Sequence, residues 1–557
     1  MATLTKSRFF DSPALDSRIK SQNVTGSERW IGYFLAPLLV YCAYTTLAGT
    51  YLNQFYVDVL KLGTVGGGAF LVLLPILSKI FDAITNLAMG VIIDRTKTRQ
   101  GKARPWILIS APLVMITGIM LYWIPKASAN VQAIWVAISY NLYFAFSFTI
   151  YNMSQALMVP LSTRNTRQRD NLALFLSMGQ SMIPGSIIYI VFPMLVLPWL
   201  GVQGERWVLV MSILSIAVLP GTILQYYFTK ERVSEDAAAS DAQRVPLMMQ
   251  IKTCLSDRYW IIYMLIWITF QFSQCLYGAA SNFFGNWVLG TYNDGTTIML
   301  MNAVGQGPLG LGVFLLWPIA KKFGKRRTLF VGMLMATVGS LLVYLNPTNM
   351  GAVLGALAFK SFGMLPTYLF AAMMAEAMDH IEWKTGYRCD GFTATVSSVI
   401  ITVMAGASTS VFNAGLNTNG YVPPASDGSW LPQNAATQNW IAMAFALIPA
   451  IVYLIIAVLA FFYKVEYLVP QMSADISARH RAEAEAKGEV YYSPEEKAAM
   501  EQAENDRIAE ENRIAELKLK CEKKGLSFEE EEARYQAKLA EQKAKAEAKA
   551  AKKDKKK

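Results

Sequence analysis

From Trp30 to Tyr463 the chain breaks into a succession of apolar runs, each long enough to cross a bilayer. About 20 apolar residues rising 1.5 Å each match the ~30 Å hydrocarbon core, with some length to spare for tilt. A helix also satisfies its own backbone polar groups in lipid. The runs fall at about 31–57, 66–93, 105–125, 132–159, 172–198, 206–228, 259–289, 296–320, 327–346, 351–378, 391–414 and 438–463. They predict an all-α membrane protein with twelve transmembrane helices. Composition agrees: 54% of residues are hydrophobic and 16% charged, against about a quarter charged in a soluble chain.

Lys and Arg fall unevenly between the two sets of loops, and loops rich in them stay on the cytoplasmic side. One set of segments holds 25 before Lys464, including Arg95, Lys97, Arg99, Lys102 and Arg104, then Arg164, Arg167 and Arg169, then Lys321, Lys322, Lys325, Arg326 and Arg327. The other set holds three, Lys61, Lys126 and Arg206. This asymmetry predicts a multi-pass protein of the cell membrane with both termini cytoplasmic. The N-terminus, MATLTKSRFFDSPALDSRIK, has no apolar core and does not read as a signal peptide. Five scattered cysteines lack metal-type spacing, so neither a disulfide framework nor a metal site is expected.

A coarse repeat divides the chain. The loop after span 2, GVIIDRTKTRQGKARP, and the loop after span 8, WPIAKKFGKRRTLF, each carry a basic cluster around a Gly-Lys pair. Six spans per half, related by an axis along the membrane normal, is one way transporters are built. The expected organisation is a cytoplasmic segment 1–30, a six-helix bundle 31–228, a cytoplasmic linker 229–258, a second bundle 259–464 and a charged cytoplasmic helical tail 465–557. Loop 415–437, rich in Pro, Gly and Asn, reads as an irregular cap over the outer mouth. In the tail, Ser493-Pro494-Glu495-Glu496 is a capping-box start, and Glu516–Lys520 and Glu541–Lys545 have supportive i,i+4 spacing. Its apolar residues keep no heptad, which favours a solvated helix over a coiled coil. The terminal AKKDKKK has the charge to touch anionic headgroups.

Asp82 stands 12 residues before Asp94, where the polar loop begins. At helical rise that is roughly 18 Å into the membrane. A carboxylate at that depth costs about 2.5–3.5 kcal/mol on insertion scales and marks an ion or substrate path. Lys79, Asp82 and Asn86 share one helical face. Asp82 therefore reads either as a coupling carboxylate or as the partner of a structural ion pair with Lys79.

The stretch Phe81–Pro105 (FDAITNLAMGVIIDRTKTRQGKARP) resembles the first signature of the glycoside–pentoside–hexuronide:cation symporters, a branch of the major facilitator superfamily. DHIEWKTGYRCDG (Asp379–Gly391) resembles the second, and MVPLSTRNTRQRDNL (Met158–Leu172) the loop after span 4. The likeness covers about 30–465. It implies the major facilitator fold, two rocking bundles, a central sugar site and a symported Na⁺, Li⁺ or H⁺. In the melibiose branch the cation site is attributed to two carboxylates on span 2 and an aspartate on span 4. Here those positions are Asp82, Asn86 and Asn152, so one carboxylate is kept beside two amides. The branch's sugar-binding charges are replaced by about Cys42, Ser177 and Thr402, which argues against melibiose but not against a glycoside held by neutral hydrogen bonds.

Candidate cation-coupling residues are Asp82, Asn86, Asn152 and Lys79. Candidate substrate-binding residues are Tyr41, Tyr44, Tyr151, Asn152, Gln155, Gln180, Gln271, Gln274 and Lys360, with Asn53, Tyr140, Asn141, Tyr277 and Asn282 as further lining positions. Amides donate and accept, which suits hydroxyls; the same side chains also glue helices together in lipid. Lys360 reads either as a snorkelling lysine or as a contact to an anionic substrate such as a glucuronide. Candidate cytoplasmic-gate residues are Asp94, Arg95, Arg99, Lys102, Arg104, Arg169, Glu376, Asp379, Glu382 and Arg388.

No Walker-type loop occurs, and no nucleophile–base or metal constellation points to an enzyme. The expected function is cation-coupled symport of a sugar, glycoside or glucuronide by alternating access. No cofactor is expected beyond the co-transported Na⁺ or H⁺. The expected partners are a small-molecule substrate, a glycoside, and membrane lipid, with no nucleic acid, and the protein is expected to be a monomer. Two rivals stay open: the same fold moving a lipid-like or other organic cargo, and a non-transporting membrane sensor.

Overall fold

The computed structural model describes residues 12–233, 246–486, 488, 490–537 and 540–541. The expected N-terminal segment and linker are thus covered in part, and Lys545 and the terminal AKKDKKK lie outside the described residues. Among the described residues no strand occurs, and one isolated bridge joins Thr98 and Gly101. Eleven stretches are long and apolar enough to cross a membrane: Glu28–Val59 (α1), Leu62–Arg95 (α2), Arg104–Tyr122 (α3), Ala129–Ala156 (α4), Thr166–Leu195 (α5), Gly204–Tyr227 (α6), Arg258–Leu289 (α7), Lys325–Leu345 (α9), Met350–Thr385 (α10), Asp390–Thr418 (α11) and Ala435–Tyr467 (α12). The expected span 296–320 lies within a continuous helix of 29 residues, Gly295–Phe323 (α8), which is not among those eleven. The chain is an integral, all-helical membrane protein.

The repeat read from the two Gly-Lys loops has a structural counterpart. Just after α6, the Glu231 carboxylate accepts from the backbone N–H groups of Lys102, Ala103 and Arg104, at 2.9, 2.9 and 2.8 Å, where α3 begins. At the end of α12, Glu466 accepts from the N–H groups of Lys325 and Arg326, at 2.7 and 3.1 Å, where α9 begins. In each half an acid at or just past the end of the sixth helix closes the free N-terminus of the third, the place where a helix leaves N–H groups unpaired and favours negative charge. Space explains the glycines: a Cβ on Gly101 would stand 2.3 Å from the Glu231 carboxyl carbon, and one on Gly324 3.0 Å from a Glu466 oxygen.

The end of the bundle carrying these loops is the basic end. At the opposite end the two halves touch directly. Asn53 on α1 and Asn413 on α11 exchange amide hydrogen bonds, both 3.0 Å. Asn413 also donates to the Leu71 carbonyl and Asn417 to that of Gly67, both at 3.1 Å. The Tyr421 hydroxyl donates to Asp58 at 2.6 Å. Gly68, at φ 89°, lies so close to α11 that a Cβ would overlap the Asn417 amide. A buried cluster runs through both halves here, joining Tyr51 and Tyr56 to Phe283, Trp287 and Phe412. A second cluster, with Tyr259, Met333, Met373 and Tyr463, lies wholly in the second half, toward the basic end.

Beyond α12 come Val469–Ala486 (α13) and Pro494–Lys524 (α14). The capping box forms: the Glu496 N–H donates to the Ser493 hydroxyl, and the Glu496 carboxylate accepts from the Ser493 N–H. The expected solvated helix is partly docked. The Glu516 oxygen accepts from Ser21 and from the Gln22 N–H near the start of the chain, at 2.9 and 2.7 Å.

Candidate functional site

Asp82 occupies the middle of α2, and its carboxylate is held from three sides. Lys79 Nζ stands 3.4 Å from one oxygen; Asn86 Nδ2 donates to the other at 2.9 Å, and the Thr149 hydroxyl of α4 donates to that same oxygen at 3.1 Å. The Asp82 and Lys79 side chains keep 13% and 18% of their exposure. Lys79 also lies 5.5 Å over the Phe144 ring, a favourable place for an ammonium in an apolar setting. Its stem runs along α11 of the other half: a Cβ on Gly406 would meet Lys79 Cγ and the Pro75 carbonyl at 2.9 Å each. The Asp82 group is therefore both a charge site and part of the packing between halves.

Three of the four expected coupling residues thus come together, and the fourth does not. Asn152 lies one turn beyond Thr149, exposed, and its side-chain oxygen accepts from the Tyr41 hydroxyl at 2.9 Å. The physical reason is position along the helix: Asn152 stands three residues, about 4.5 Å, further along α4 than Thr149, and its amide oxygen is taken by Tyr41. The short hydroxyl of Thr149 reaches where the longer amide points away.

Of the expected substrate residues, Tyr41, Asn152 and Gln155 form one network. Tyr41 also bonds Gln155 Oε1 at 3.0 Å, and the buried Gln155 Nε2 has no partner. Tyr44 stacks on Phe148 with centroids 3.7 Å apart. Tyr151 points the other way: fully buried, it donates to Gln225 of α6 at 2.7 Å, inside its own half. Gln180 and Gln271 are half-buried on α5 and α7, apart from that network. Gln274 approaches the Tyr453 hydroxyl at 3.4 Å. Lys360 does not snorkel. Its ammonium, on a residue 5% exposed, lies 3.5 Å from the Tyr277 ring centroid and 5.8 and 5.9 Å from those of Tyr453 and Phe445. A small cavity of about 80 Å³ between the halves is lined by Asn53, Tyr56, Tyr140, Thr409 and Asn413.

Most of the expected gate residues find partners within their own half or in the segment that precedes it. Asp94 faces Lys102 at 3.6 Å, and Arg99 meets Asp16 at 2.9 Å. Arg104 is buried and donates to the Tyr226 carbonyl at 2.9 Å while lying over that ring. Arg95 and Arg169 are exposed. In the second half Glu376 pairs with Lys325, and Arg388 bridges Asp379, Glu382 and Asp390 at 2.5, 3.1 and 2.7 Å. Its hydrogen bond to Asp390, with Asp379 adding, outweighs burial and raises the guanidinium pKa above its ordinary value. None of these named pairs joins one half to the other.

A carboxylate in the middle of a membrane helix, amides and tyrosines beside it, and a repeated basic-loop cap are the marks of a solute carrier. The profile of the family described as MFS/sugar transport protein matches residues 33–467. The chain belongs to that family. The isoprimeverose transporter of Lactiplantibacillus pentosus is 26% identical over 491 residues, covering 85% of this chain and 96% of its own. The glucuronide carrier protein homolog of Escherichia coli (strain K12) is 23% identical over 374 residues, covering 66% and 78%. Among solved structures, the D-xylose-proton symporter superposes with a TM-score of 0.53 at 13% identity over 78% of this chain and 97% of that one, which shows the shared fold. The resemblance to the glycoside–pentoside–hexuronide type thus holds, and this MFS sugar-transport member stands among membrane transporters rather than enzymes.

Sequence reasoning missed Thr149, Glu231, Glu466 and Asp58. The matched acids after spans 6 and 12 (TKERV and YKVEYL) were a usable signal for the two caps. Thr149 had only its place one turn before Asn152.

Proposed function

We propose that the protein is a secondary active transporter that moves a sugar, glycoside or glucuronide with Na⁺ or H⁺ across the cell membrane by alternating access. The observation that carries this reading is the Asp82 group. A carboxylate already held by Lys79, Asn86 and Thr149 offers oxygen ligands to a hard cation or a base to a proton once Lys79 moves aside. Because the Lys79 stem is wedged against Gly406 of the other half, that movement alters the contact between halves. Occupancy at Asp82 and rocking of the bundles are then one event. Beside it, the Tyr41–Asn152–Gln155 network, with its free Gln155 Nε2, supplies neutral donors and acceptors for substrate hydroxyls.

In this reading residues 31–228 and 259–464 are the two six-helix bundles, joined by the linker 229–258, and the protein works as a monomer. The basic end is assigned to the cytoplasm together with both termini, which makes the closed, amide-linked end the outer one. The isoprimeverose transporter and the glucuronide carrier homolog bracket the cargo as a glycoside, neutral or anionic. The buried Lys360 ammonium, in its ring cage, favours including anionic glycosides in any substrate panel.

The test is uptake into proteoliposomes of a glycoside panel under separate Na⁺ and H⁺ gradients. Asp82→Asn is expected to abolish gradient-driven accumulation while counterflow of the same glycoside persists. Accumulation equal to the parent protein would overturn the coupling role.

A further inference from the structure

The Gly-Lys repeat leaves one cation over. Gly101-Lys102-Ala103-Arg104 and Gly324-Lys325-Arg326-Arg327 stand in the same register where α3 and α9 begin. In the first half Arg104 is buried, donates to the carbonyls of Tyr226 and Gln100 and lies over the Tyr226 ring. In the second half Lys325 pairs with Glu376, while Arg326 donates to the Phe461 carbonyl and lies over the Phe461 and Tyr467 rings. Arg327, in the register of Arg104, is exposed and has no hydrogen bond, ion pair or ring contact among the described residues.

Arg327 also lines the basic end of an apolar cleft. A cavity of about 450 Å³ lies between α8, α9 and α10, and its described lining is apolar apart from Arg327 and Thr328. The Thr328 hydroxyl is spent on the Gly324 carbonyl at 2.7 Å. Two glycines bring the helices together at the cleft. A Cβ on Gly332 of α9 would stand 2.6 Å from the Gly363 carbonyl oxygen, and one on Gly363 of α10 would stand 2.5 Å from the Ala336 nitrogen. Small residues permit such approach in lipid. Ile319, Phe323, Val331 and Phe362 in the lining are exposed, so the cleft opens outward, on the bilayer. From Arg327 to Met335 is eight residues, about 12 Å of helix, which carries the cleft from the basic end well into the hydrocarbon.

We propose that this cleft binds one anionic phospholipid from the leaflet at the basic end, with an acyl chain along Phe330, Met335 and Phe362 and the phosphate on the Arg327 guanidinium. An arginine stem lies along an apolar wall while its head stays at headgroup level, and a guanidinium matches phosphate with two parallel hydrogen bonds. The exposed Lys321 and Lys322, at the end of α8, add positive charge that favours an anionic over a zwitterionic headgroup. The site goes beyond the transport reading and needs only that the chain spans a bilayer.

The test uses the full-length chain, purified in detergent and stripped of lipid. It is titrated with phosphatidylglycerol, with phosphatidylcholine of the same chains and with glycerol 3-phosphate, and bound ligand is counted by native mass spectrometry. One phosphatidylglycerol is expected to be held roughly tenfold more tightly than phosphatidylcholine, the scale of one hydrogen-bonded charge. Arg327→Gln should erase that preference, and Val331→Trp, which fills the cleft and leaves its charge, should weaken both lipids. Lys97→Gln, which removes an exposed cation from the first half's loop, should change neither. Arg327 and Val331 are both exposed, so the variants should keep the parent's melting temperature. The site is overturned by an unchanged preference in Arg327→Gln, unchanged binding in Val331→Trp or an equal loss in Lys97→Gln. It is equally overturned by glycerol 3-phosphate binding as tightly as the lipid, or by a dimer of the stripped chain that excludes the lipid.

Discussion

The two ends of the bundle are built from different interactions. At the opposite end the halves meet through neutral amides and one hydroxyl–carboxyl contact: Asn53 with Asn413, Asn417 with the Gly67 carbonyl, and Tyr421 with Asp58. At the basic end, charge is spent inside each half, where Glu231 caps α3, Glu466 caps α9 and Arg388 gathers three carboxylates. A neutral hydrogen bond contributes about 0.5–1.5 kcal/mol net, whereas one to a charged group contributes about 1.5–3 kcal/mol. An interface that opens in each cycle is therefore made of weak, re-formable bonds, and each body that must stay rigid is pinned by strong ones.

The largest test of that contrast is Gly406→Leu. A side chain there has no room against Lys79 and the Pro75 carbonyl, each 2.9 Å from the Cβ position. Overpacking costs about 3 kcal/mol, so the closed opposite end should lose roughly 100-fold in population. In a background without the five native cysteines, Ser410→Cys, buried on α11 three residues before Asn413, should react faster with a membrane-impermeant maleimide added outside, and accumulation should collapse. Unchanged labelling would mean that the two helices do not separate during the cycle. Next comes Glu231→Ala, which strands three N–H groups at the start of α3 and should cost about 2 kcal/mol. Its effect should appear as a lower melting temperature with Ser410→Cys labelling unmoved. Glu466→Ala should behave the same way in the second half, with a smaller loss for its two N–H groups.

A smaller effect separates the two ends most directly. Asn413→Ala and Asn53→Ala, alone and together, should give a coupling energy of about 1 kcal/mol, because the amides bond each other in both directions. The coupling should appear in the balance of open and closed states, read by the labelling rate, and hardly at all in thermal stability. A coupling confined to thermal stability would show the amide pair to be scaffold and would erase the difference between the ends.

Much of this was legible beforehand, for physical reasons. A bilayer demands about 20 apolar residues per crossing, so the spans could be read from hydropathy alone, and the basic loops marked one end. The Lys79, Asp82 and Asn86 cluster followed from spacing on a single helix. What stayed hidden depends on how two helices are rotated and on how far one is shifted along the other. Thr149 in place of Asn152 beside Asp82, and Tyr151 turned to Gln225 rather than joining Tyr41, Asn152 and Gln155, are differences of a single turn or a single face. Hydropathy does not encode them when both faces of α4 are buried or lipid-facing. The caps by Glu231 and Glu466 were hidden for another reason: each bonds a loop more than 120 residues away.

The smallest expected effect probes the loop whose five cations look alike in the sequence. Arg99 pairs with Asp16, with both side chains about half exposed, at 53% and 44%, and such pairs contribute less than about 0.5 kcal/mol. Arg99→Ala should therefore leave melting temperature, labelling rate and glycoside uptake within error of the parent protein. Arg104, five residues on, is buried, donates to the Tyr226 carbonyl and lies over its ring at 4.6 Å. Its removal strands that carbonyl and empties the space around it, so Arg104→Ala should destabilise by about 2–3 kcal/mol, measured as a shift of the melting curve. A tenfold loss of uptake in Arg99→Ala with stability intact would place that cation in contact with the other half during the cycle. The basic end would then share the opening work that the contrast assigns to the opposite end alone.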